Sequence, residues 1–203
     1  MTKVVGLTGN VAAGKSSVTA LLAEWGASII DADAIVRTLQ QPGEPVFAAI
    51  VERFGPGIVD QAGQLDRAAL RRAILADPAA KQDLESIVHP AVYERIRHLI
   101  DAARHADESL VIVDIPLLFE TGDPAEYDAV ILVDAPVEER RRRLMELRGL
   151  GAGEADALLA SQQPSDLKRR AADFVIDNDG DLDTLTARTR DVWAAVLASW
   201  DVP

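Results

Sequence analysis

The chain has no cysteine, which excludes a disulfide framework and any thiolate-held zinc or iron–sulfur site. Aromatic side chains make up only 4% of it, so packing must come mainly from Ala, Leu, Val and Ile. There is no apolar run of about 18 residues, the length a membrane-spanning helix needs. The opening MTKVVGLTGN lacks the basic-then-apolar pattern of a secretory leader. A soluble, cytoplasmic protein is the expectation. Basic residues are also in deficit, 21 against 33 acidic, for a net charge of −12. That field disfavours nonspecific contact with nucleic acid or an anionic membrane. It leaves room for a polyanionic small molecule wherever positive groups cluster locally.

What is present is 203 residues, 48% hydrophobic and 27% charged, enough for one α/β domain with an insertion. Val4–Thr8 is a short apolar run that reads as a buried parallel strand. Val18, Leu21, Leu22 and Trp25 then recur at helical spacing from Gly14 to Trp25, and Gly26 sits where a helix would stop. Ala27–Ile30 reads as a second strand, completing a βαβ unit. From Ala34 to about Ala106 the strand signal disappears in favour of several helices, broken at 41–43, 55–57, 61–63 and 77–78. Strands resume at 110–114, 129–134 and 174–176, with a charged helical region from Val137 to about Arg170 between the last two. A closing helix carries Leu185, Val192, Trp193, Val196, Leu197 and Trp200 on one stripe. In this arrangement the stripe is consumed by the sheet, and no obligate protein partner is implied. Five strands alternating with helices predict an open parallel sheet covered on both faces. Ligands on such sheets bind at the carboxyl ends of the strands.

Gly9-Asn10-Val11-Ala12-Ala13-Gly14-Lys15-Ser16 matches G-x-x-x-x-G-K-[ST], between a predicted strand and a predicted helix. A glycine-containing turn can aim successive backbone N–H groups inward. The helix that follows adds its unsatisfied donors and positive dipole end. Lys15 would reach the β- and γ-phosphates of a nucleoside triphosphate, and the Ser16 hydroxyl would complete a Mg²⁺ shell. The motif by itself does not separate a kinase from a switch GTPase or a mechanical ATPase. No Asn-Lys-x-Asp stretch for reading guanine is present.

Around the loop, Asp33 follows the second strand, where it could accept a proton from an attacking hydroxyl or hold Mg²⁺; equally, it could cap the helix that begins there. Asp31 reads as a strand-end carboxylate. Asp114 ends an apolar strand as a Walker B aspartate would, or simply terminates it facing solvent. Arg140–Arg143 and Arg148 form the one concentrated basic patch. It is either a solvated face with Glu–Arg pairs or a source of one or two phosphate-binding guanidiniums. His89 reads as a capping or hydrogen-bonding residue, and Pro90 after it marks a helix boundary.

Together these residues resemble the dephospho-coenzyme A kinase family over the full chain. The resemblance runs through 6–9 into 14–16, Asp31–Arg37, Leu65–Arg67, Ile87–Pro90, Pro116–Glu120, Arg143-Leu144, Ser161–Gln163 and Ala172–Gly180. It implies a P-loop kinase fold in three parts: a nucleotide-binding core at 1–32, 108–139 and 172–203, a helical acceptor domain at 33–107, and a lid at 140–171. The reaction implied is phosphorylation of the ribose 3′-hydroxyl of dephospho-CoA by ATP. The resemblance assigns Asp33 as base, Lys15 as phosphate lysine and Arg143 as transition-state support. The loop residues 9–16, with Ser17 and Arg148, would bind the nucleotide, and Ser16, Asp33 and Asp114 would serve the metal. Arg37, Asp66, Arg67, His89, Leu117 and Leu118 would line or support the acceptor side. The family loop usually has glycine where this chain has Asn10 and Ala12. Asn tolerates positive φ better than other non-glycine residues, and alanine adds only a methyl group.

Overall fold

The computed structural model describes residues 2–200. Five strands form one sheet in the order β2-β3-β1-β4-β5: β1 (Lys3–Gly9), β2 (Ser28–Asp31), β3 (Leu110–Asp114), β4 (Ala129–Asp134) and β5 (Phe174–Asp177). β1 lies in the centre, paired in parallel with β3 and β4, and β5 pairs in parallel with β4. Every residue of β3 and β4 is buried. That is why these segments read as unbroken apolar runs rather than as alternating ones.

Alternation still decides which side chain meets which helix. Val5, Leu7, Ile112, Ile131, Val133 and Ile176 pack with Val18 and Leu22 of α1 (Lys15–Glu24) and Leu185 and Val196 of α10 (Leu182–Ala198). Trp25, Trp193 and Trp200 close the margin of this core. Asp114 shares the parity of Ile112 and so emerges on the α1 face. On the opposite face Gly6 lies under Leu118 and Tyr127, where a Cβ would stand 3.1 Å from a Leu118 methyl.

The chain separates into two compact units, one containing residues up to Ile30 and from Ala102 onward, the other Asp31–Asp101. The first holds the sheet core with α6 (Leu118–Thr121), α7 (Val137–Arg148), α8 (Ala152–Ala160), α9 (Ser165–Ala171) and α10. The charged region after β4 is therefore three helices. The second unit contains α2 (Ala32–Leu39), α3 (Pro45–Phe54), α4 (Arg67–Ala76) and most of α5 (Pro78–His105). Its interior includes Ile35, Val46, Ile50, Ile58 and Leu70.

Pro90 does not end a helix, contrary to the expectation from the sequence; it lies inside α5. Val88, Val92 and Ile96, four residues apart on either side of it, are all buried. Proline removes one N–H from the ladder, and this continuous apolar stripe carries the helix past the gap. Among the described residues, no helix is long and apolar enough to cross a membrane.

Candidate active site

The loop between β1 and α1 is built from close approaches. A Cβ on Gly9 would lie 2.9 Å from the Val133 carbonyl oxygen, so glycine lets β1 end tight against β4. Ala12 has φ +58° and Gly14 φ +96°. Left-handed residues within a turn are the backbone conformation in which N–H groups converge into an anion-binding concavity. The departure at Asn10 has a different basis from the expected one. Among the described residues the non-glycine positive φ values fall at Ala12 and Asp107, not at Asn10. Asn10 instead turns its buried side chain outward from the loop, donating through Nδ2 to Asp134 Oδ1 at 2.8 Å and Ser165 Oγ at 2.9 Å.

The carbonyl side of the loop is clamped. Asn178 Nδ2 donates to the Ala13 carbonyl at 2.8 Å. Arg143 Nη1 donates to the carbonyls of Ala12 and Ala13 at 3.2 and 3.4 Å, and its Nη2 to the Asn178 carbonyl at 3.1 Å. Its Nε is bound to Glu139 at 2.8 Å. The hydrogen bond from Arg142, reinforced by Arg143, pulls the Glu139 carboxyl down to about 2 against the opposing effect of burial.

Lys15 Nζ pairs with Asp114 Oδ1, and Thr19 Oγ1, one turn along α1, donates to Asp114 Oδ2 at 2.8 Å. Asp114 is buried; it does not face solvent. Ser16 and Ser17 are exposed in the first turn of α1.

The arginine run divides by function. Arg141 pairs with Asp156, and Arg142 with Glu139 and Glu146, as surface ion pairs. Arg140 is buried, its Nε on the Ala135 carbonyl at 3.0 Å and its Nη2 on Ser165 Oγ at 3.2 Å. Only Arg143 of the four reaches the loop. Arg148 is exposed, with no side-chain partner among the described residues.

The second unit holds the remaining expected residues. Asp31, not Asp33, caps α2: it accepts from the Ala34 N–H at 2.9 Å and pairs with Arg37 at 3.4 Å. Asp31 already has the extended backbone a cap requires. Asp33 lies in the helical first turn with an exposed carboxylate that has no partner among the described residues. Asp66 caps α4 through the N–H groups of Ala68 and Ala69, with Arg67 opening the helix. His89 meets Tyr93 edge-on within α5, ring centres 6.2 Å apart. In the first unit, Leu118 is buried core while Leu117 is 41% exposed.

Two loop contacts have no expression in spacing. Gln162 Oε1 accepts the Val11 N–H at 2.8 Å, and Asn178 holds Ala13, across separations of 151 and 165 residues. As site residues, Gln162 and Asn178 have no signal in the sequence beyond the family resemblance through 161–163 and 172–180.

A family model described as dephospho-CoA kinase matches residues 3–184. The dephospho-CoA kinase of Symbiobacterium thermophilum is 46% identical over 193 residues, covering 95% of this chain and 81% of that protein. The solved structure of TT1252 from Thermus thermophilus superposes with a TM-score of 0.80 at 37% identity, covering 98% of this chain and 97% of that one. Dephospho-CoA kinase from Campylobacter jejuni gives a TM-score of 0.74 at 25% identity, covering 97% and 98%. The clamped loop at the end of β1 thus sits in a P-loop kinase fold with ATP as co-substrate, and the chain belongs to the dephospho-CoA kinase family, which phosphorylates its acceptor in the final step of coenzyme A synthesis.

Proposed function

We propose that the protein catalyses in-line transfer of the γ-phosphoryl group of ATP to the ribose 3′-hydroxyl of dephospho-CoA. The bond from γ-phosphorus to the β–γ bridging oxygen breaks, the bond to the 3′-oxygen forms, and the hydroxyl proton passes to Asp33. The observation that carries this reading is the loop 9–16, with left-handed turns at Ala12 and Gly14 ahead of Lys15. Its N–H groups and Lys15 bind the phosphates, as in other P-loop enzymes. Asp33 is suited to the base because its carboxylate has no partner among the described residues, where that of Asp31 is committed to a cap.

Arg143 supports the transition state by holding the loop, and its contacts on Ala12 and Ala13 favour that role. Arg148, exposed and without a side-chain partner among the described residues, is the lid arginine free to meet the nucleotide. Residues 140–171 act as the lid, 33–107 as the acceptor domain, and 1–32, 108–139 and 172–203 as the nucleotide core. Arg37, Asp66, Arg67, His89 and Leu117 serve the acceptor, with Leu118 supporting from beneath. The enzyme works in the cytoplasm on small molecules, without an obligate protein partner.

Mg²⁺ fits the donors by kind, since the Ser16 hydroxyl and the carboxylates of Asp33 and Asp114 are hard oxygens. Both Asp114 oxygens are engaged by Lys15 and Thr19, and no group of three or more acidic or histidine side chains suited to a metal exists among the described residues. Ser16 would therefore hold the ion with phosphate and water oxygens, Asp114 acting from behind. When bound, the ion neutralises charge on the β- and γ-phosphates.

The test is ADP release by the purified protein with ATP, Mg²⁺ and a panel of acceptors. Dephospho-CoA should be the acceptor that stimulates release; stimulation by a nucleoside or nucleoside monophosphate instead overturns the proposal. Asp33→Asn should lower turnover by ~10²–10⁴, the scale of general-base catalysis, and a near-normal rate removes Asp33 as the base.

A further inference from the structure

Gln162 lies in the short connection between α8 and α9, where its Oε1 accepts the backbone N–H of Val11 at 2.8 Å. That bond fixes the sense of the amide. A backbone N–H can only donate, so the oxygen must be the end on the loop, and Nε2 must be the other end. Nε2 has two N–H donors and no partner among the described residues. The side chain is half-buried, and it is attached to the middle of the phosphate loop.

The connection on either side of Gln162 is held in place. The Gln163 N–H donates to Glu120 Oε1 at 3.2 Å, and Gln163 Nε2 to the Phe119 carbonyl at 2.8 Å. Ser165 Oγ takes the Asn10 amide at 2.9 Å and lies 3.3 Å from Asp134. Lys168 is fully buried against Glu120 at 2.5 Å. The connection therefore touches the loop twice, at Asn10 and Val11. A long side chain so confined has already lost most of the rotamer freedom that ligand binding would otherwise cost.

We infer that Gln162 is a further phosphate-binding residue of this kinase: its oxygen is anchored on the Val11 N–H, and its amide nitrogen donates to a phosphate oxygen of the nucleotide on the loop. This rests on the proposed nucleotide role of residues 9–16. It assigns a neutral double donor beside the charged Lys15, supplied by a segment distant in sequence, so that loop and α8–α9 connection bind ATP as one piece.

Gln162→Glu and Gln162→Met test the assignment together. Glutamate keeps an oxygen for the Val11 N–H but loses both donors; methionine keeps the length and loses all polarity without adding charge. ATP affinity is measured by calorimetry at low and high ionic strength, with thermal melting in parallel. Both variants should bind ATP about ten- to a hundredfold more weakly, the scale of a lost hydrogen bond to a charged group. The glutamate variant should keep the wild-type melting temperature, and its deficit should persist in salt. A methionine variant that binds ATP as wild type does, or a glutamate deficit that salt abolishes, overturns the inference. Wild-type protein that fails to bind ATP at all overturns the loop reading and this inference with it.

Discussion

Asn178 occupies the space that a side chain on Gly14 would need. A Cβ at Gly14 would fall 2.1 Å from Asn178 Nδ2, the atom that donates to the Ala13 carbonyl. Glycine at 14 is thus required twice, by its φ of +96° and by the clamp that closes over it.

Gly14→Ala should therefore fail for two separable reasons. The left-handed backbone alone costs about 1–2 kcal/mol, and the displaced Asn178 releases the loop. Turnover should fall by roughly 10²-fold, the scale of an ångström-sized misplacement. Asn178→Gly alone releases the clamp without straining residue 14, so its steady-state rate should lie between those of wild type and Gly14→Ala. A rate as low as that of Gly14→Ala would show that backbone strain at this position is inconsequential.

Ala12 presents the opposite case, a non-glycine residue at φ +58°. Ala12→Gly relieves a left-handed penalty of about 1–2 kcal/mol and incurs about 0.5–1 kcal/mol from the looser unfolded chain. A net stabilisation of about 0.5–1 kcal/mol should appear as a raised denaturation midpoint. A lowered midpoint would count against strain at residue 12.

Lys15→Met should abolish phosphoryl transfer and leave the buried Asp114 carboxylate with Thr19 as its one remaining protein partner. Breaking a buried pair from one side costs about 3–5 kcal/mol. Lys15→Met with Asp114→Asn removes the stranded charge, so stability should return while activity does not. Equal stability of the single and double variants would mean the pair is not electrostatically coupled.

Acid should loosen the brace at Glu139. Its carboxyl falls from an ordinary value of 4.5 to about 2 in the folded protein, held chiefly by Arg142 and then by Arg143. Between those values the unfolded chain binds the proton and the folded one does not, so stability falls as pH is lowered. The melting difference between wild type and Glu139→Gln should be largest at neutral pH, shrink below pH 4.5, and vanish near pH 2. A difference that is independent of pH would rule out charge as its origin.

The sheet was legible because its strands are local apolar runs, and the loop because eight consecutive residues carry it. Pro90 misled because a rule about neighbouring backbone says nothing of the buried stripe Val88–Val92–Ile96 that outweighs it. Asp31 and Asp33 were both candidates for the end of β2. Which one caps depends on where the backbone turns from extended to helical, a boundary set to within a residue or two by packing. The arginine run could not be divided in advance, because adjacent residues on a helix point in different directions and their partners lie on other elements. Gln162 and Asn178 act across more than 150 residues, where local pattern carries no signal.

With Lys15 as the proposed phosphate lysine, its pairing with Asp114 makes nucleotide capture an exchange of counter-ions. The ammonium is already neutralised by the protein's own carboxylate, so a passing chloride or sulfate finds little unsatisfied positive charge on it to attract. A ligand must bring enough negative charge, spread over several oxygens, to compete with an anion built into the sheet. The cup is thereby biased toward polyphosphates before any feature of the base or sugar is consulted.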